Sequence, residues 1–353
     1  MSKPVISIYG TVYNNVRTIR TCITSLAKAL QATGISWEVV VVDNFSNDGT
    51  YEALVELSSL YPIRCIREKC SRGKGRDIAL RHTRGDYVMY IDFDKYFTEE
   101  FGKLVTGLLK ICKQNEVYTP YGFSLRETTI RFGGWVDLNH GEDAEFFARS
   151  CVKGVVRRVL TPPFSLEEPV HLLRRRGRYV KSKLSFYRRL LRDRLDSFRG
   201  CSSSYRHLRE VHIANSRNLR AKLVKCLLYL LSRLLGQYKY SKYLRNNELV
   251  LYRERYVLPD DIGFPRDYLY FICYLDTLSD LGLKILIKKL EGIVSECLKR
   301  GYEGIRIQVS ARSRVMYLTY LNPERVLPYI NYTEIIRSVY RGSTWYSIVL
   351  MFR

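Results

Sequence analysis

Trp37-Glu38-Val39-Val40-Val41-Val42-Asp43-Asn44-Phe45-Ser46-Asn47-Asp48-Gly49-Thr50 is the stretch on which the reading of this chain turns. Its first half is an almost unbroken β-branched run, the composition of a strand buried on both faces of a parallel sheet. Its second half is a turn-rich string that opens on an acid at the strand terminus and closes on helix-cap residues. The same alternation continues outward in both directions. Pro4–Val12 reads as a strand, and Val16–Ala32 as a helix with Ile19, Ile23, Leu26 and Leu30 on one face, closed by Gly34. Downstream, Thr50–Tyr61 reads as a helix, Ile63–Arg67 as a short strand and Gly75–His82 as a helix start. Tyr87–Ile91 reads as another buried strand and Thr98–Cys112 as another helix. Strand and helix in alternation predict an α/β sheet with right-handed crossovers, whose ligands sit beyond the carboxyl ends of the strands.

The remainder of the chain sets bounds on this picture. A length of 353 residues suits two domains, and 46% hydrophobic with 26% charged residues suits buried cores rather than disorder. No run approaches the ~18 apolar residues of a membrane span; Cys226–Leu231 and Tyr268–Leu275 come nearest. Met1-Ser2-Lys3-Pro4 leads into no long apolar segment or small-residue cleavage site. We therefore expect a cytoplasmic chain, neither secreted nor integral to a membrane, though able to sit on the cytoplasmic membrane face. Nine cysteines form no Cys-x-x-Cys pair, so free thiols are expected and a zinc site is not. Four glutamines against 58 Lys+Arg lean toward a thermophilic source.

The net charge of +23 is segregated. Residues 1–148 hold 18 basic and 18 acidic side chains, residues 149–250 hold 25 and 6, and residues 251–353 hold 15 and 11. The middle block thus carries nearly all the excess and should meet something anionic. It reads as two helices, Tyr179–Phe198 and Leu219–Leu235, the second with Leu223, Leu227, Leu230, Leu231 and Leu234 against Arg220, Lys222, Lys225 and Arg233. Such helices suit an anionic membrane surface, or a helical subdomain packed on the core with its basic face solvated or paired with a second subunit. Arg174-Arg175-Arg176-Gly177-Arg178 and the Tyr/Arg interleaving to Arg206 raise a third reading, a basic nucleic-acid-binding surface, but no recognisable binding module accompanies them. The last hundred residues return to a mixed pattern, with a helix at Leu281–Arg300 and strands at Ile305–Val309, Val315–Leu321 and Thr344–Phe352.

Four clusters stand at or just past strand ends: Thr11-Val12-Tyr13-Asn14-Asn15, the Asp43–Thr50 string, Arg72-Gly73-Lys74-Gly75-Arg76-Asp77, and Asp92-Phe93-Asp94. Glycines beside basic residues allow close backbone approach to phosphate. Residues two apart in an extended chain point the same way, so Asp92 and Asp94 can present two hard oxygen donors suited to Mg2+ or Mn2+. Each cluster alone is commonplace; their order along one sheet edge is the signal.

That ordered set, together with Phe132-Gly133-Gly134-Trp135 and Gly141-Glu142-Asp143-Ala144-Glu145-Phe146 followed by Arg149, resembles the successive signatures of family 2 glycosyltransferases with the GT-A fold, over about residues 4 to 175. Gly10 and Asp77 depart from the pattern, standing where the family has proline and often asparagine. The resemblance implies inverting transfer from a nucleotide-sugar donor, a UDP- or GDP-sugar, with Mn2+ or Mg2+ as cofactor. It implies that Asp43 binds the base with Thr11 and Tyr13 lining its pocket, that Asp92 holds the ribose, and that Asp94, with Asp92 beside it, coordinates the cation. Lys74 or Arg76 then adds charge near the departing diphosphate, and Asp143 serves as general base with Glu142 as its rival. Trp135 stands where an aromatic stacks on a sugar or packs in the core, and His171 is either an extra metal ligand or structural. The expected architecture is a GT-A catalytic domain at 1–175, a basic helical segment at 176–250 and a small α+β region at 251–353. The acceptor is a hydroxyl or a lipid phosphate such as a polyprenyl phosphate. The competing reading is a basic nucleic-acid- or membrane-binding protein on the same scaffold without turnover.

Overall fold

In the computed structural model, residues 3–159, 161, 164–167, 183–201, 219–238, 256–257, 259–264, 272–274, 288, 292, 295, 299, 306–310 and 315–319 are described. Internal contacts divide the chain into two units. The first comprises Met1–Val156, Pro163–Ser203 and Leu227–Ser241, the second Arg157–Pro162, Ser204–Cys226 and Lys242–Arg353.

The first unit runs β1 (Ile6–Val12), α1 (Val16–Gln31), β2 (Trp37–Asp43), α2 (Thr50–Ser58), β3 (Ile63–Arg67), α3 (Arg72–Arg81), β4 (Tyr87–Tyr90) and β5 (Lys95–Phe97). It continues through α4 (Glu100–Ile111), β6 (Glu116–Thr119), β7 (Ser124–Leu125), α5 (Arg126–Phe132) and α6 (Glu142–Lys153). One sheet has the order β3-β2-β1-β4-β7, its first four strands parallel and β7 antiparallel. Val39 to Val42 are fully buried at its centre, as their unbroken apolar run requires. Ile19, Ile23, Leu26 and Leu30 form the buried face of α1. The short strand β5, the helix α5 and the strands after α6, β8 (Val155–Val159) and β9 (Ser165–Glu167), lack a legible period; β9 pairs with β5.

Helix α3 departs from expectation in an informative way. It begins at Arg72, because Ser71 caps it by accepting the Lys74 backbone N–H at 3.1 Å. Gly73-Lys74-Gly75 is therefore the first helical turn and not a loop, and its glycines serve packing. A Cβ on Gly73 would stand 1.9 Å from the Val136 carbonyl oxygen, and one on Gly75 2.6 Å from Thr11 Oγ1. Gly73→Ala is accordingly expected to cost about 2–3 kcal/mol in chemical denaturation, since backbone has to move.

Two basic helices follow, α7 (Lys183–Cys201) and α8 (Leu219–Leu234). The C-terminal half of α7 is anchored. Asp196 Oδ2 accepts the Asn139 backbone N–H at 2.8 Å and Asn139 Nδ2 at 3.1 Å, Phe198 is fully buried, and a Cβ on Gly200 would lie 2.9 Å from the Gly141 carbonyl oxygen. The N-terminal half of α7 and residues 227–235 are richly apolar at the surface, with Leu184, Tyr187, Leu190, Leu191, Leu227, Leu230 and Leu234 exposed. No described helix is long and apolar enough to cross a membrane.

In the second unit, β11 (Ile272–Tyr274), β12 (Arg306–Ser310) and β13 (Val315–Thr319) form an antiparallel sheet of order β11-β13-β12, and β10 (Tyr256–Val257) pairs with Arg158–Val159. Of the helix expected at Leu281–Arg300, Lys288, Gly292, Ser295 and Lys299 are described, all helical. The strand expected at Thr344–Phe352, the Arg174–Arg178 run and His171 lie outside the described residues.

Candidate active site

The sheet reverses its winding at β1: β2 and β3 extend to one side, β4 to the other. Side chains beyond the carboxyl ends of β1 and β4 therefore flank a crevice, the usual ligand position of an open α/β sheet. A cavity of about 1390 Å³ opens there. Thr11, Val12, Tyr13 and Asn15 reach it from β1, Asn44 and Phe45 from β2, Lys69 to Arg72 from the β3–α3 turn, and Asp92 to Asp94 from β4. Asn15 ties two of these together, its Nδ2 donating to the Phe93 carbonyl at 3.2 Å.

Asp43 is fully buried behind this lining. Its Oδ2 accepts the Ser46 backbone N–H at 3.1 Å and lies 3.5 Å from Arg67 Nε, while its Oδ1 has no hydrogen-bond partner among the described residues. Burial raises its pKa against the pull of the Ser46 hydrogen bonds and the Arg67 charge. A buried, half-satisfied carboxylate at a strand end is a strong acceptor for a ligand N–H.

The centre of the site is an ion cluster around Arg76, which is 3% exposed. Its guanidinium donates to Glu142 Oε1 at 2.9 Å and to Asp92 Oδ1 at 2.8 Å, and lies 4.6 Å from the Tyr90 ring centroid and 4.9 Å from that of Trp135. Desolvation pushes Asp92 up, but Arg76, Arg72 and Lys95 overcome it and hold the carboxyl below its usual range. Glu142 goes the other way: burial at 1% exposure raises it, partly offset by Arg76. Arg76 thus fixes the end of β4 to the start of α6. Arg76, expected to add charge near a departing diphosphate, is buried and is not among the residues that line the cavity. Among the described residues, Lys69 and Arg72 are the cations on that wall; Lys74 is exposed and does not line it.

Trp135 is a core residue. It is 5% exposed, stacks on Phe146 at 4.5 Å between centroids and donates from Nε1 to Tyr9 Oη at 2.9 Å, so it presents no ring face to a sugar. Asp77 is structural too, accepting the Trp135 backbone N–H at 3.1 Å and Arg81 Nε at 2.8 Å. Asp143 is exposed in the first turn of α6, just after the cavity-lining Asn139 and His140, and its charge acts on Arg76, Tyr90 and Glu142.

The surprise is α7. Phe186, Arg189, Arg192 and Asp193 line the same cavity. Counting basic residues along the chain treats all of them as one surface; the recurrence of Phe186, Arg189 and Arg192 every three residues was the signal for a single stripe.

Part of the chain is similar to known proteins. Residues 7–165 match the family described as glycosyl transferase family 2. A dolichol-phosphate mannosyltransferase from Pyrococcus furiosus is 32% identical over 106 residues, 29% of this chain and 30% of that protein. The poly(ribitol-phosphate) β-N-acetylglucosaminyltransferase TarS of Staphylococcus aureus is 29% identical over 97 residues, 27% of this chain and 17% of that one. Among solved structures, TarS 1-349 aligns over 90% of this chain and 96% of its own at 14% identity and a TM-score of 0.45. The mannosyltransferase PcManGT of Pyrobaculum calidifontis, solved with GDP-Man and Mn2+, aligns over 72% and 83% at 18% identity and a TM-score of 0.39. The chain spans about a third or less of the length of the curated relatives it matches. The family match thus falls on the part of the chain that carries the five-stranded sheet and the motif residues along its edge.

Proposed function

We propose that the chain transfers a sugar, with inversion, from a nucleoside-diphosphate sugar to a hydroxyl or lipid-phosphate acceptor, assisted by Mn2+ or Mg2+. The observation that carries this reading is the meeting of Asp92 and Asp94 with Lys69 and Arg72 around one cavity at the switch point of the sheet. The donor set suits such a cation: two hard carboxylates, Asp92 kept ionised by its neighbours, and no third His, Cys, Asp or Glu clustered with them among the described residues. Mg2+ and Mn2+ bind through one or two carboxylates and complete their shell with phosphate oxygens and water. When bound, the ion supplies charge neutralisation on the departing diphosphate.

The chain's own residues do the rest. Asp43 accepts from the base, Thr11 and Tyr13 flank it, and Lys69 and Arg72 add positive charge where negative charge grows. Arg76 is a positioning residue that holds Asp92 in place. For a hydroxyl acceptor Asp143 takes its proton on the face opposite the leaving group, whereas a phosphate acceptor attacks through an oxygen already ionised near neutral pH; in both cases a single in-line displacement inverts the anomeric centre. A thermal-shift panel of nucleoside diphosphates with Mn2+ or Mg2+ tests this. A marked preference for one base is expected, and no shift from any of them contradicts it.

The exposed leucines among the arginines of α7 and α8 support peripheral binding to an anionic membrane. In flotation, the protein is expected to rise with vesicles containing phosphatidylglycerol and to be released by salt. Equal recovery with neutral vesicles counts against that.

A further inference from the structure

Two separate pairs of cations line the cavity: Lys69 with Arg72 from the β3–α3 turn, and Arg189 with Arg192 from α7. On the proposed reading the first pair, beside Asp92 and Asp94, serves the donor diphosphate. The second pair has no task in the reaction as described so far. It is nevertheless a built feature. Arg189 Nε lies 3.2 Å from Asp193 Oδ2, and Arg192 Nη2 3.1 Å from Asp193 Oδ1, so one carboxylate orients two guanidiniums. The arginine side chains are 27% and 53% exposed. The helix that carries them is pinned through Asp196 and Gly200 to the Asn139–Gly141 loop that leads into Asp143. Phe186 lies on the same cavity stripe, and Leu190 and Leu191 are exposed alongside.

We propose that Arg189 and Arg192 bind a phosphate group carried by the acceptor, with Asp193 as their positioning residue. This rests on the glycosyltransferase reading and narrows the acceptor to a phosphate-bearing molecule. Guanidinium forks match phosphate oxygens bidentately, and the anchored helix delivers them beside the base. The phosphate can come from a lipid or from a soluble ester; the apolar neighbours suit a prenyl chain.

The full chain is titrated calorimetrically with geranyl phosphate, geraniol and glycerol 3-phosphate, with and without Mn2+ and saturating UDP or GDP. Expected are binding of geranyl phosphate, silence from geraniol, and at least about tenfold weaker phosphate binding by the Arg189→Gln/Arg192→Gln variant at unchanged nucleotide affinity. Unchanged nucleotide affinity also certifies that this variant is folded; should it be lost, Arg192→Lys is the second variant, expected to retain nucleotide and bind phosphate more weakly. Binding of glycerol 3-phosphate as tight as geranyl phosphate supports a headgroup-only site, and its silence supports a lipid-linked acceptor. Equal phosphate affinity in wild type and double variant overturns the proposal. So does a variant, folded by circular dichroism, that loses nucleotide while keeping phosphate, because the arginines then serve the donor. Arginine-dependent phosphate binding in a protein that binds no nucleotide leaves the anion site standing and overturns the transferase reading.

Discussion

Replacing Asp143 with asparagine is expected to lower turnover by about 10²–10⁴-fold while leaving nucleoside diphosphate affinity within about twofold, as measured by steady-state assay and titration. The asymmetry follows from position. Asp143 is exposed at the start of α6 and lies outside the lining contributed by β1, β2 and β4, so the nucleotide should bind without it. On the proposed reading its part is confined to proton removal, so its loss belongs in kcat. The neighbouring Glu142 cannot easily take over, because one of its oxygens is committed to Arg76 and the residue is buried. Turnover of Asp143→Asn near the wild-type level removes Asp143 as the base.

Arg76→Met is expected to lower stability by about 3–5 kcal/mol, because it strands a buried carboxylate and frees the end of β4. Arg76→Lys should recover only part of the loss, since an ammonium cannot span Glu142 and Asp92 as a planar fork does. The pH dependence has a definite sign. Asp92 is depressed in the folded protein, so its stabilisation is present above its unfolded pKa and is lost as pH falls through the folded value. Glu142 is raised by burial, so its ionisation costs the fold, and without Arg76 that cost grows until protonation relieves it. The Glu142 trend narrows the gap between wild type and Arg76→Met as pH falls toward about 4.3, and the Asp92 trend narrows it further as pH falls below about 3.9. Parallel stability curves across pH 3–8 (urea denaturation, about one pH unit apart) are the contrary outcome.

The sheet and the place of the site were legible in the chain because both rest on local pattern. Val39–Val42 can only be a doubly buried strand, and an acid directly after such a strand marks its carboxyl end. Asp92 and Asp94 were readable for the same reason. What escaped depends on partners distant in sequence. Gly73 and Gly75 look like a phosphate loop until Val136 and Thr11 are seen against them. Arg76 looks like a solvent-facing cation until Glu142, 66 residues on, is found to hold it. Trp135 shows no local sign that Phe146 will cover it. Helix α7 was recognised as basic, but its approach to the cavity depends on Asn139 and Asp196, which no periodicity connects.

The most direct measurement is a calorimetric titration of wild type and Asp94→Asn with UDP and GDP, in Mn2+ and in EDTA. Expected is saturable binding of one nucleotide by wild type in Mn2+, weakened about tenfold or more by EDTA or by loss of the Asp94 carboxylate. Binding that is as tight in EDTA, or as tight to Asp94→Asn, contradicts a cation held between Asp94 and the donor diphosphate.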